Sequence, residues 1–305
     1  MQHTIVMTGA SRGIGYAAAV EALRRSPDLH LVVTTRGPGD ELVARLARDS
    51  GNPQVGWVGA ELASLACVRA AAEEVGRRLD RGTLPPLTGF VGNAGLQVTG
   101  ADRATVDGLE TTFAVNVLAH HLLLRLLAER MTTPARVVLT TSDTHFGDLR
   151  HNLGLVPAPR WRAPLELARP SSAADAGTAT AGRRAYATSK LAVIHLVHEL
   201  ARRLPEVEVV AWNPGFVPGT ELTRDGGTLT RLVARHLLPL LARTPLAVDV
   251  VTAGGHLASL IDGRPVVATG AYVSGDAEER SSAESYDVAR ERALWEAADH
   301  LCGLA

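Results

Sequence analysis

Thr4-Ile5-Val6-Met7-Thr8-Gly9-Ala10-Ser11-Arg12-Gly13-Ile14-Gly15 carries the chain from a short apolar run into a glycine-rich turn, and an alanine-rich helical stretch follows to about Arg25. Gly9 permits the tight turn, Gly13 lets backbone approach a pyrophosphate, and Gly15 allows close helix–strand packing. Ser11, Arg12 and Ile14 complete a loop that suits a dinucleotide. A glycine-rich turn alone also serves as an ordinary strand-to-helix corner. Its place directly after the first strand favours phosphate binding.

The rest of the chain continues the alternation. Strands are predicted at Leu29–Thr34, Gln54–Val58, Leu87–Val91, Ala135–Thr140, Val207–Trp212 and Ala271–Val273. Helices are predicted at Asp40–Asp49, Ser64–Asp80, Asp102–Arg130, Arg183–Leu204, Leu246–Leu260 and from Ala283. Apolar strands alternating with helices of this length predict a single α/β domain, a doubly wound Rossmann-type parallel sheet of seven strands. Two stretches break the rhythm. Residues 146–184 are rich in Pro, Gly, Ala and Ser and read as an insertion or lid. Residues of about 218–245 carry Leu229, Leu232, Val233, His236, Leu237 and Leu240 at helical spacing and read as a lid over an apolar substrate.

Composition narrows the function classes. The 305 residues are 46% hydrophobic and 21% charged, with 31 basic against 32 acidic residues, so the chain can bury a core. The formal charge of −1 argues against nucleic-acid or anionic-membrane partners. No apolar run reads as a membrane span, and the first residues lack a signal core, which predicts a cytoplasmic protein. Cys67 and Cys302 read as two free thiols, and no metal-ligand spacing stands out: His195, His198 and Glu199 are not in His-Glu-x-x-His order. One count is unusual. Lys190 is the only lysine among the 31 basic residues. Chance survival explains a lone lysine as well as selection does, but a lysine kept where every other cation is arginine also suits chemistry that a guanidinium cannot perform.

Lys190 stands four residues after Tyr186 in a predicted helix, which puts both on one face. A phenol with an ordinary pKa of about 10 is a poor acid–base group at neutral pH. A neighbouring ammonium and an oxidised nicotinamide ring would favour its phenolate. At the end of the second strand, Thr34-Thr35-Arg36 lacks the acid that would hold an NAD ribose. Arg36 and Arg12 can both meet a 2′-phosphate, which predicts NADP(H).

In order, Thr8-Gly9-Ala10 to Gly15, Asn93-Ala94-Gly95, Asn116, Ser142, Tyr186/Lys190 and Asn213-Pro214-Gly215 resemble the short-chain dehydrogenases/reductases over nearly the whole chain. The resemblance implies a catalytic set of Ser142, Tyr186, Lys190 and Asn116. Ser142 would orient the substrate carbonyl, with Thr141 as the alternative. Asn116 would bend the long helix and hold a water that feeds protons towards Lys190. Beside the turn, the implied cofactor-binding residues are Arg36, Glu61, Leu62, Asn93, Ala94, Gly95, Tyr186, Lys190, Pro214, Gly215, Val217 and Thr220. His145 and Phe146 are expected to line the substrate pocket.

Three departures qualify the resemblance. Glu61-Leu62 replaces the usual Asp-Leu at the adenine, and Gly92 stands where a second Asn is common. The interval from Ser142 to Tyr186 is much longer than in the commonest members. Retinol dehydrogenases and light-dependent protochlorophyllide reductases have a comparable insertion, and the ending from Leu294-Trp295-Glu296 to Gly303-Leu304 resembles theirs. The photochemical role is not expected, because Tyr186-Ala187-Thr188-Ser189-Lys190-Leu191-Ala192 lacks a cysteine just past the lysine. The reading is NADPH-dependent reduction of a ketone or aldehyde on a bulky apolar molecule, by a monomer or homodimer. The alternatives are alcohol oxidation on the same site and a non-catalytic NADP(H)-binding sensor or scaffold.

Overall fold

Continuous apolar runs make strands that bury both faces. The computed structural model, which describes residues 1–152, 154, 156–217 and 248–304, has this architecture. β1 (His3–Thr8), β2 (Leu29–Thr35), β3 (Val55–Gly59), β4 (Leu87–Gly92), β5 (Met131–Thr140), β6 (Val207–Asn213) and β7 (Tyr272–Ser274) pair in parallel. β8 (Ala277–Glu279) closes the edge antiparallel to β7. The order is β3-β2-β1-β4-β5-β6-β7-β8. The seven parallel strands are those expected. β8 is a short, exposed hairpin partner with no apolar pattern to announce it.

The helices are α1 (Gly13–Arg25), α2 (Asp40–Ser50), α3 (Leu65–Asp80), α4 (Thr111–Arg130), α5 (Ala179–Arg203), α6 (Val250–Ile261) and α7 (Val288–Leu301). Side chains alternate across each strand. Ile5, Met7, Val33, Val91, Val138 and Trp212 pack with α1, α2 and α6, whereas Val6, Val32, Phe90, Val137 and Leu139 pack with α3, α4 and α5. The strand order reverses beside β1, which opens the crevice at the carboxyl ends of β1 and β4 that such sheets use for ligands.

Two expectations change. The long helix starts at Thr111, not Asp102. Ala104 and Glu110 form an antiparallel bridge around Gly108 at φ 74°, and the Glu110 carboxylate caps α4 by accepting the Thr112 and Phe113 N–H groups at 3.0 and 2.7 Å. α4 is also long and apolar enough to cross a membrane by composition, which the sequence reading did not foresee. However, 78% of that window is buried inside the fold, so here it is a core helix. From Arg160 onward the 146–184 insertion packs against the fold. The Arg160 N–H donates to Thr188 Oγ1, Trp161 meets the His195 ring edge-on at 4.6 Å, and Ser171 and Ala176 exchange backbone bonds with Ala101. The segment therefore packs on the side of α5 that faces α7. The proposed lid at 218–245 lies outside the described residues.

α7 docks through Leu294, Trp295 and Ala298, all buried. The Trp295 ring stands edge-on to His121 at 4.8 Å, under the guanidinium groups of Arg125 and Arg203 at 5.2 and 4.7 Å. Replacing Trp295 with Ala should cost about 3–5 kcal/mol. Denaturant unfolding would show the loss as a lower midpoint, and an unchanged midpoint would mean that α7 is not part of the cooperative core.

Candidate active site

The turn after β1 is built as its glycines predict. Gly9 has φ 72°, and a Cβ there would lie 2.7 Å from the Ala94 nitrogen; a Cβ on Gly15 would lie 2.1 Å from the Gly9 carbonyl oxygen. Gly13, at φ 57°, differs: a Cβ there would meet nothing. α1 begins at Gly13 with no side-chain cap on its first N–H groups. An open backbone at an uncapped helix N-terminus fits the phosphates of a dinucleotide. Asn93 braces the turn, its amide donating to the Gly9 carbonyl at 3.1 Å, and the Ala94 N–H donates to Thr8 Oγ1 at 3.0 Å.

Arg12 and Arg36 are exposed at the ends of this turn and of β2. A third cation escaped the sequence reading. Arg45, on α2, donates to the Ser11 carbonyl at 2.7 Å and stacks over Tyr16 at 4.5 Å. Its i, i+5 distance from Asp40 within a helix gave no hint of that reach. Across the crevice, the Glu61 carboxylate accepts the Ala63 N–H at 3.1 Å, and Leu62 is buried beside it. Gly215 takes φ 75° and donates its N–H to Asn213 Oδ1 at 3.2 Å, and Val217 is buried. Thr220 lies outside the described residues.

Tyr186 and Lys190 lie on the inner face of α5, with the Lys190 ammonium 5.5 Å from the centre of the Tyr186 ring. Lys190 Nζ donates to the Thr140 carbonyl at 2.9 Å, and burial lowers its pKa to about 8. The expected lowering of Tyr186 by its neighbour is not seen in the protein alone. Burial pushes the phenol up to about 12, opposed only by a hydrogen bond with the Ser142 side chain. Thr141, the alternative to Ser142, is committed elsewhere: its hydroxyl donates to the Lys190 carbonyl at 2.8 Å.

Asn116 occupies a π-helical turn, Ala114–Leu118, which is the bend the resemblance implied. Its Oδ1 accepts the Leu96 N–H at 2.9 Å, and its Nδ2 donates to the Leu96 carbonyl and to Ser189 Oγ, both at 3.0 Å. His120 joins it. Burial lowers its pKa to about 4, so the ring is neutral. Nδ1 therefore donates to the Asn116 carbonyl at 3.1 Å, and Nε2 accepts from the Thr8 hydroxyl at 3.0 Å. The i, i+4 spacing from Asn116 was the available clue.

His145 does not line a pocket. It is 1% exposed, and burial lowers its pKa to about 4. Nδ1 donates to the Ser142 carbonyl at 2.7 Å, and Nε2 accepts the Ser282 N–H at 3.1 Å. Phe146 is partly buried and stacks on His151 at 3.7 Å. His195, His198 and Glu199 turn away from the crevice: His198 Nδ1 lies 2.9 Å from Glu291 Oε1, and Arg202 bridges Glu199 and Glu291. Cys67 and Cys302 are both free, as expected.

A model of the family described as short chain dehydrogenase matches residues 3–151. The bovine dehydrogenase/reductase SDR family member 13 is 31% identical over 315 residues, covering 99% of this chain and 73% of its own length. Protochlorophyllide reductase B of Hordeum vulgare is 31% identical over 326 residues, covering 98% and 78%. The NADPH-bound carbonyl reductase from chicken fatty liver shares the fold, with a TM-score of 0.60 at 22% identity over 92% of this chain and 94% of that one. The chain belongs to the short-chain dehydrogenase/reductase family, in the type that includes retinol dehydrogenases and protochlorophyllide reductases. It is an oxidoreductase whose Rossmann fold binds a nicotinamide cofactor.

The lowered Lys190 sets a pH dependence. The ammonium is present below about pH 8 and lost above it. Turnover should hold between about pH 6 and 7 and fall as pH rises through about 8, which a pH–rate profile would reveal. A profile flat to pH 10 would detach the lysine's charge from the rate.

Proposed function

We propose that the chain is an NADPH-dependent reductase that converts a ketone or aldehyde on a bulky, apolar molecule to the alcohol, in the cytoplasm. The observation that carries this reading is the pair on α5: a buried phenol kept protonated beside a buried ammonium. When bound, the reduced nicotinamide supplies the hydride. Tyr186, protonated at neutral pH, gives its proton to the carbonyl oxygen as negative charge develops there. Ser142 donates a second hydrogen bond to the same oxygen and fixes its direction. The Lys190 ammonium favours the phenolate left behind and offers donors to ribose hydroxyls. A phenol held above its ordinary pKa favours reduction over the reverse reaction, which needs the phenolate first. Arg12 and Arg36 supply positive charge for a 2′-phosphate, and no acid stands at the very end of β2, Thr34-Thr35-Arg36, to oppose it. Exposed Phe216 and Leu149, on the two loops that leave the site, support an apolar substrate.

Tyr186→Phe should lower kcat by about 10²–10⁴-fold while NADPH still binds, as read by steady-state rates and cofactor fluorescence. Retained turnover would remove Tyr186 from the proton transfer. NADPH binding by the parent with no oxidation across a broad carbonyl panel would favour the sensor reading instead. Arg36→Asp should weaken NADPH by about tenfold or more and shift preference towards NADH, since a charge-assisted bond is lost and a repulsion gained. Unchanged preference would place phosphate recognition on other residues.

A further inference from the structure

The backbone ladder between β5 and β6 ends too early to fix the site. Its last bonds are at Thr140 and Trp212, followed by the Thr141 N–H donating to the Trp212 carbonyl at 2.6 Å. Ser142 and the Pro214-Gly215 turn lie just beyond, where parallel strands hand over to loops. The two loops are nevertheless joined. Asn213 is 1% exposed, and its Nδ2 donates to Asp143 Oδ1 at 2.5 Å and to Ser274 Oγ at 3.2 Å. The other end of the same amide accepts the Gly215 N–H at 3.2 Å. The buried Tyr272 hydroxyl donates to the same Asp143 oxygen at 3.1 Å. A carboxylate accepting two donors makes stronger bonds than a neutral acceptor would.

We propose that Asp143 is a positioning residue: its carboxylate ties the turn bearing Ser142 to the turn bearing Pro214 and Gly215, and so sets the distance from the substrate carbonyl to the nicotinamide ring. This rests on the proposed reaction, which sets Ser142 at the substrate carbonyl, and on the family resemblance, which implies that the Pro214-Gly215 turn packs on the nicotinamide. One covalent neighbour, Ser142, and one side-chain neighbour, Asn213, place Asp143 on both sides of the gap that hydride must cross. His145 holds the far end of the same turn through the Ser142 carbonyl and Ser282, so the turn is pinned at each end and has one arrangement.

The test compares Asp143→Ala and Asp143→Asn with the parent, using NADPH and 2′-phospho-ADP-ribose, a fragment without the nicotinamide. If the parent prefers NADH, NADH and ADP-ribose take their place. Asp143→Ala should bind the fragment as the parent does and the whole cofactor about fivefold more weakly, the worth of a lost hydrogen bond. Its kcat should fall by about 10²-fold, with a larger isotope effect from deuterated NADPH because hydride transfer becomes limiting. Asp143→Asn keeps an acceptor oxygen, though a weaker one, and should recover most of both. Tyr272→Phe removes one of the two donors while keeping the ring in the core, and should move the cofactor-to-fragment ratio in the same direction by less, even if the alanine variant fails to fold. Equal weakening of fragment and cofactor, no weakening of either, or an asparagine variant as impaired as the alanine one would overturn the proposal. A kcat loss with an unchanged isotope effect would do the same, because it reports fewer folded molecules rather than a misplaced pair. A parent that reduces no carbonyl would refute the proposed reaction alone, and the binding ratio would still decide the role of Asp143.

Discussion

The ammonium of Lys190 lies inside the protein, and much of the surrounding structure answers that fact. Burying a charge is costly unless it is hydrogen-bonded, and the lowered pKa records the cost. The Thr140 carbonyl, at the end of β5, accepts from Nζ, and the Thr141 hydroxyl holds the carbonyl of the same lysine. Gly95 makes room: a Cβ there would lie 3.3 Å from Nζ and 3.5 Å from Asn116 Oδ1. A strand end, the loop after β4 and two helices thus converge on one side chain. An arginine, with a planar five-donor head, could not take the same place, so the lone lysine of the composition is explained by space as well as by chemistry.

The bend in α4 belongs to the same arrangement. The π-turn turns the Asn116 amide to Leu96 and Ser189, and the Ser189 hydroxyl returns to the Tyr186 carbonyl at 2.7 Å. His120 then joins the bend to β1 through Thr8. Being neutral, its ring has one donor and one acceptor, and each has a partner. The glycine-rich turn, the bent helix and α5 are therefore linked by neutral hydrogen bonds, with no titration near neutral pH to loosen them.

What was legible in the sequence follows from how far each signal reaches. The strands were visible because a strand buried on both faces has to be apolar throughout, and the glycine turn because Gly9 and Gly15 meet backbone at once. Tyr186 and Lys190 were visible because four residues make one helical turn. Other features depend on partners distant in sequence. Asp143 and Asn213 are seventy positions apart, and nothing local separates Asp143 from a solvated loop acid. Arg45 resembles any exposed helix arginine until its reach to Ser11 is seen. The false start of α4 at Asp102 came from reading composition through a bridge and a glycine turn, where Glu110 was the capping signal. In the protein alone, burial raises the phenol's pKa despite a cation 5.5 Å from the ring centre, a balance that helical spacing does not reveal.

The outer face of α5 explains why so long an insertion can be accommodated beside this helix. Every residue from Tyr186 to Leu200 is buried, so this helix is enclosed on all sides rather than amphipathic. Its inner side carries Tyr186 and Lys190. Its outer side carries Thr188, His195 and His198, each against a different neighbour: the Arg160 backbone, the Trp161 ring, and Glu291 of α7. A helix held from both sides cannot tilt to follow a substrate, so the phenol stays fixed relative to the sheet.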